Sequence, residues 1–481
     1  MSADDSPGGK KYTALNKAGL AVLLLGTAVY SYVLAFHYDW LQSIPGWFFF
    51  RQDHPGGPYR YIYLFLMLVL ALVAVFAILK RTKQPILNIS IAMALLFFLQ
   101  IGYGFVQGNG FESIRVKYAK AAVSEELQTV CQARGSLIES VRNYDVLYGD
   151  NFWLGTKPPG FFSFYALIKA GIGLIRPAVL TDPQACFMTL TKNFAYFLPF
   201  FATLLLIPLY FIQKKITSQP FPFISALIYI SAPSVILMTL LTDQFLFPLL
   251  FTIFLLLLTL MITRQSMLYA FLAGCMAYTL VFVSFSLLPI FGLAVIWLFV
   301  DYWINRQNRD LRTVLLLLAA FFGGLLLTSL FVWLFTSYNP LARYQLAFQK
   351  HREIKQFEFS AQRIMEYMFL NQVDFMLWTG FGLLFLFYGS SIRAFILFFQ
   401  RKATTYDGYR IAFFLTFLIL NLAGQTRSEV GRLWVFLLPG FALTIFPESL
   451  KLLKNPLHSI QLFFLTQMFS TFLVFYYIHF P

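Results

Sequence analysis

The sequence predicts an all-α polytopic membrane protein, and three observations predict it. Of 481 residues, 59% are hydrophobic and only 12% are charged, where a soluble globular chain carries about 25% charged residues. Such a chain has too few polar side chains to cover a water-facing surface, which excludes the soluble multidomain, disordered and fibrous classes. Apolar runs also recur at the length of about 20 residues that carries a helix across a bilayer. The net charge of +15 sits in the joints between those runs and forms no compact basic domain that a duplex would need. It therefore reports membrane topology and anionic headgroups. The 58 phenylalanines suit lipid-facing helix surfaces and aromatic-lined grooves.

Taken in order, the predicted spans are 18–36, 61–79, 86–106, 193–212, 221–241, 245–263, 267–284, 288–304, 313–336, 371–390, 409–424, 433–447 and 460–479, about 13 transmembrane helices. The first follows Lys10, Lys11 and Lys17 and runs to Phe36. It is too long for a signal-peptide core and has no small-residue cleavage site, so it is expected to be retained. A further stretch, 160–176, is short, carries Lys169 in its middle and begins at Pro158-Pro159. With the N-terminus inside, the basic joints at Lys80-Arg81-Lys83, Lys214-Lys215, Arg264, Arg306/Arg309/Arg312, Arg401-Lys402 and Lys451/Lys454 fall on the cytoplasmic side. Residue 107 then emerges outside while Lys214 belongs inside, so an odd number of crossings separates them. Because 193–212 is the better span, 160–176 is expected to lie in or re-enter the outer interface. The short outer joints hold only Arg51, Arg60, Arg427 and Arg432.

Two long segments, 107–192 and 337–370, are thus expected outside. Within the first, Ile114, Tyr118, Ala122, Leu127 and Val130 recur at roughly helical spacing among charged residues, as interfacial helices require. The organisation read from this pattern is an N-terminal tail and accessory two-helix hairpin (1–85), a core with the two outer loops (86–447), and a last joint and helix (448–481). Cys131, Cys186 and Cys275 show no metal-binding spacing. Cys131 and Cys186 share an outer segment, and the sequence leaves their pairing open.

The predicted spans are nearly free of acids, whereas transporters place ionisable residues along the substrate path at mid-membrane depth. Charged residues crowd the outer joints instead, which favours a reaction at the outer face. Glu112, the first acid after span 86–106, would be a base fixed at a helix end, or simply an acid favouring a helix N-terminus. Lys157 precedes Pro158-Pro159, which stiffen the backbone, and is placed to meet a lipid-linked phosphate as a point charge. Interfacial snorkelling is its plainer role. Asp145 and Asp150 are further acids in the same stretch or simple turn residues. Asp243 lies in a short outer joint that needs only a polar turn. Arg427 and Arg432 suit bidentate phosphate recognition with Glu429 orienting one of them, or form a salt-bridged turn. Loop 337–370 adds His351 together with Arg343, Arg352 and Glu353, most of them expected on a solvated interfacial helix.

In order and placement these motifs resemble the GT-C glycosyltransferases, which include protein O-mannosyltransferases and lipid A aminoarabinose transferases. Lys157-Pro158-Pro159-Gly160 resembles the Lys/His-Pro-Pro element of those two groups, Thr242-Asp243 occupies the place of their second outer-loop acid, and Ser428-Glu429-Val430-Gly431-Arg432-Leu433-Trp434 looks like a C-terminal motif of bacterial relatives. The similarity covers about residues 86–447. It implies a GT-C-like fold and transfer of a sugar from a polyprenyl-phosphate-linked donor to a glycan, lipid or protein acceptor at the outer face of the plasma membrane. By position Glu112 matches the first-loop acid, with Asp145 and Asp150 competing for that role. Asp243 would assist, and Lys157, Arg427 and Arg432 would hold the departing phosphate. Some relatives require a divalent metal; the scattered acids here favour a metal-independent site and no cofactor. The alternatives are a polysaccharide polymerase, which differs mainly in acceptor, and a lipid-linked saccharide flippase, which would need polar groups through the bilayer depth.

Overall fold

In the computed structural model the described residues are 7–42, 50–51, 59–81, 83–106, 110–120, 123–151, 154–217, 221–237, 245–355, 360–422 and 430–479. They are almost entirely helical, and nine helices among them are long and apolar enough to cross a membrane: Asn16–Phe36, Arg60–Lys80, Pro85–Val106, Pro183–Ile216, Leu246–Arg264, Phe285–Ile304, Leu311–Thr336, Phe381–Phe399 and Pro456–Tyr477. Their outward faces carry exposed residues such as Leu25, Phe65, Leu326 and Phe331, an apolar girdle that water would not tolerate and lipid would. This is the architecture of a multi-pass membrane protein.

The remaining predicted spans differ in form. Met267–Val283 and Val435–Ser449 are helical and apolar but shorter than the full bilayer-crossing length. Residues 221–241 divide into Ile224–Ile230 and Pro233–Leu237, because Pro233 cannot donate to the preceding turn and favours a helix start; residues 238–244 lie outside the described set. The stretch 371–390 is cut at Gly380, whose φ of +83° lies in the region open to glycine. The chain there makes two helices, Ala361–Thr379 and Phe381–Phe399. Hydropathy alone runs straight through such a break.

Helix Met267–Val283 packs along both Leu246–Arg264 and Leu311–Thr336, and Ile290–Ile304 packs along Thr405–Leu422. Buried Trp378, Trp434, Phe387, Phe417 and Phe441 fill the centre, with Phe417 and Phe441 rings 5.2 Å apart nearly at right angles, an arrangement aromatic quadrupoles favour. The N-terminal hairpin closes on the C-terminus. Tyr30 donates to the Leu377 carbonyl at 2.8 Å, the Arg60 guanidinium lies 5.2 Å from the Tyr476 ring, and the two-residue strands Phe50–Arg51 and Ile478–His479 pair antiparallel.

Between the third and fourth long helices the chain builds a layer of short helices: Phe111–Lys120, Val123–Gln132, Leu137–Arg142, Tyr144–Tyr148 and Gly160–Gly173. Helix Pro340–Lys355 returns to this layer from the second long segment and packs on the turn Leu154–Thr156. The two segments predicted to lie outside therefore meet at one end of the bundle.

Candidate functional site

The layer is organised around Val123–Gln132, which three unlike contacts hold. A disulfide joins Cys131 to Cys186 with Cα atoms 5.7 Å apart, tying this helix to Pro183–Thr203. Lys169, 8% exposed, donates to the carbonyls of Val130, Cys131 and Ala133 at 2.9, 3.1 and 3.1 Å. Those are orphan acceptors at a helix end, so the lysine that interrupts the apolar run 160–176 is a C-terminal cap, not a flaw in a span. The third contact is the ion pair of Glu126 with Lys157.

Lys157 sits where the sequence bends from the short 3-10 turn Leu154–Thr156 through Pro158-Pro159 into Gly160–Gly173. Asn151 fixes the approach: its Oδ1 accepts from the Leu154 amide at 2.9 Å, and its Nδ2 donates to Glu125 at 2.8 Å. Gly160 is required at the exit, because a Cβ there would stand 2.3 Å from the Phe282 carbonyl oxygen and 2.6 Å from the Val283 Cα. The Pro-Pro-Gly element is thus pressed onto the end of Met267–Val283. The Lys157 side chain remains 28% exposed while that of Glu126 is sealed. A carboxylate out of water beside a partly exposed ammonium holds that cation in one place.

Arg343 locks this turn from the other outer segment. It is 1% exposed, and its guanidinium donates to the carbonyls of Leu154 (3.0 Å), Gly155 and Lys157 (3.1 Å) and to Asp145 Oδ1 (2.6 Å). It lies 5.3 Å from the Tyr144 ring, and burial pushes the Tyr144 phenol well above its ordinary range, so that group stays neutral. The expectation of a solvated role for the charged residues of loop 337–370 fails at Arg343: the planar fork spends three donors on one turn and a fourth on Asp145.

Other predicted residues are placed as follows. Asp145 is 44% exposed and engaged by Arg343. Asp150 is exposed at the turn beside Asn151. His351 is half-buried on Pro340–Lys355, eight residues beyond Arg343 and so on the same helical face. Glu112 opens helix Phe111–Lys120 and is gripped by Arg115 one turn on, with the Nε–Oε2 distance 2.7 Å. That hydrogen bond holds its carboxyl below the usual carboxylate value. Glu112 lines a cavity of about 440 Å3 with Arg115, Arg176 and Lys192; Lys157 and Asp145 do not border it. Asp243, Arg427 and Glu429 lie outside the described residues. The chain resumes after the first of these at Phe245, whose ring packs 5.9 Å from Phe164 on the helix that follows Lys157. It resumes after the other two at Val430, whose amide donates to buried Asp374 at 2.9 Å, so half-buried Arg432 stands on a pinned turn.

Glu126, Arg343 and Asp374 are the organisers that sequence reasoning missed. For Glu126 a signal existed: with Leu127, Val130 and Cys131 it forms the buried stripe of its helix, and an acid on an apolar stripe demands a partner. Arg343 meets three carbonyls and the Asp145 carboxylate, and Asp374 meets the Val430 amide, all far along the chain, which no local pattern marks. No group of three or more metal-binding side chains occurs among the described residues. The chain matches no known protein-family model and no curated protein sequence.

Proposed function

We propose that this protein is a GT-C type glycosyltransferase that moves a sugar from a polyprenyl-phosphate-linked donor to a cell-envelope acceptor at the outer face of the plasma membrane. The observation that carries this reading is Lys157: a partly exposed cation before Pro158-Pro159, backed by sealed Glu126 and fixed through its carbonyl by Arg343. The Cys131–Cys186 disulfide on the same layer supports a non-cytoplasmic side, since such bonds persist in oxidising compartments.

In the proposed step the acceptor oxygen attacks the anomeric carbon as the bond from that carbon to the phosphate oxygen breaks. Negative charge grows on the departing phosphate, and a cation already in place there lowers the barrier more than it tightens ground-state binding. Lys157 supplies that cation, with Arg427 and Arg432 as further phosphate ligands, Glu429 orienting one of them and His351 as a further substrate contact. We assign the acceptor proton to Asp243, two residues before Phe245. Glu112, the positional match to the first-loop acid, is a weaker base because Arg115 already stabilises its ionised form.

Purified full-length protein, assayed with a polyprenyl-phosphate sugar and envelope extract, tests the reading. Lys157→Gln retains a donor for Glu126 and should keep the fold. It and Asp243→Asn are each expected to lower transfer by about a hundredfold or more, while Glu112→Gln keeps most of it. Full activity in the first two variants would overturn the assignment.

A further inference from the structure

A second polar cavity lies at the other end of the bundle. Helix Met267–Val283 ends against Gly160, and the next helix, Ile290–Ile304, leads away to Asn305. At about 1.5 Å per residue its 15 residues separate the two ends by roughly 22 Å. Asn305 borders a cavity of about 640 Å3 whose walls also carry Arg393, Arg410, Lys451, Thr404 and Thr405. Asn305, Arg393, Thr404, Thr405 and Lys451 fall in joints that the charge pattern puts on the cytoplasmic side, and Arg410 stands in the first turns of helix Thr405–Leu422 that follows.

Three cations here share two carboxylates. Glu448 faces both Arg393 (3.4 Å) and Lys451 (3.1 Å). Asp407 faces Arg410 at 3.2 Å but is also engaged by Thr404, whose amide and hydroxyl each donate to Oδ2 at 2.8 Å. The nearby Asp301 is matched by Arg309 at 2.6 Å. One positive charge is left over. Arg410 is only 3% exposed; its Nη2 donates to the Ser390 carbonyl, whereas its buried Nε has no hydrogen-bond partner. A buried guanidinium with an unspent N–H is expensive unless an acceptor reaches it.

We propose that this cavity binds a phosphate group, with Arg410 at its floor and Arg393 and Lys451 at its rim. A phosphate offers several acceptor oxygens to a guanidinium fork, an ammonium and the flanking threonine hydroxyls, and neutralises the surplus charge. The volume leaves room for more than the phosphate itself, as a phospholipid headgroup or a soluble phosphate ester would need. None of these residues belongs to the proposed transfer centre, so this inference stands or falls separately from it.

The test uses detergent-purified full-length protein and two probes: phosphatidylglycerol followed by native mass spectrometry, and inorganic phosphate followed by calorimetry. The rim variant Arg393→Gln/Lys451→Gln leaves buried Arg410 and its Asp407 contact intact, which protects the fold. At least tenfold weaker binding of phosphatidylglycerol in the variant supports the proposal with a lipid source. The same loss for inorganic phosphate supports it with a soluble source. Equal binding of both probes by wild type and variant, or binding of neither probe by wild type, overturns it.

Discussion

A guanidinium at 1% exposure must return every lost water contact through protein acceptors, and Arg343 does so with three carbonyls and a carboxylate. Arg343→Ala is expected to lower stability by roughly 3 kcal/mol, since hydrogen bonds to charged groups contribute about 1.5–3 kcal/mol each and the freed carbonyls gain only partial access to water. Arg343→Lys should recover little, because a point ammonium cannot span the fork; thermal unfolding of both variants checks this. At Glu112 the sign of a pH effect can be worked out. Its folded-state pKa is lowered from the ordinary 4.5 by the Arg115 hydrogen bond, so the pair stabilises above that value and its contribution is lost as pH falls through the lowered one. Glu112→Gln should therefore lower Tm slightly near neutrality, the pair being exposed, and make its decline on acidification shallower. Lys157 stood out in the sequence because two prolines follow it, but its ion pair with Glu126 did not. Glu126 was legible only in retrospect, because a carboxylate on an apolar stripe reads as an interruption until its partner 31 residues away is known.

At the scale of elements, the layer of short helices is tied together by a disulfide, a buried lysine cap and an ion pair. Helix Val123–Gln132 has ten residues, too few to be stable alone. Removing the disulfide with Cys131→Ser/Cys186→Ser frees a loop with a sequence separation of 55, for which about 2–4 kcal/mol is expected. The loss should appear as earlier proteolysis between residues 123 and 192 and a lower Tm, with the long apolar helices still protected. An unchanged proteolytic pattern would mean the layer is held by other contacts. The periodic apolar residues announced that interfacial helices exist. They did not announce the break at Gly380 or the split before Pro233, because hydropathy reads side chains whereas those breaks arise from backbone geometry. The parity of crossings set 160–176 aside as a span, and the three carbonyl contacts of Lys169 explain why a lysine sits in its middle.

Across the whole molecule, charge is distributed by end. Arg393, Arg410 and Lys451 line the cavity at one end, and the disulfide-tied layer with Lys157 occupies the other. The membrane class followed directly from composition, since no arrangement of 12% charged residues covers a soluble surface of this size. Sidedness was argued from the positive joints. In a background lacking Cys275, a cysteine at exposed Asp150 should react with an impermeant maleimide in intact cells, and one at Lys402 should react only after permeabilisation; the reverse order would invert the topology. The most direct measurement of the function is mass spectrometry of lipid-linked sugars and envelope glycans from cells carrying wild-type protein or Lys157→Gln. Cells with the variant are expected to accumulate a polyprenyl-phosphate sugar and to lose an envelope sugar that the wild-type protein restores. Identical lipid pools and identical glycans, with the variant folded and in the membrane, would contradict it.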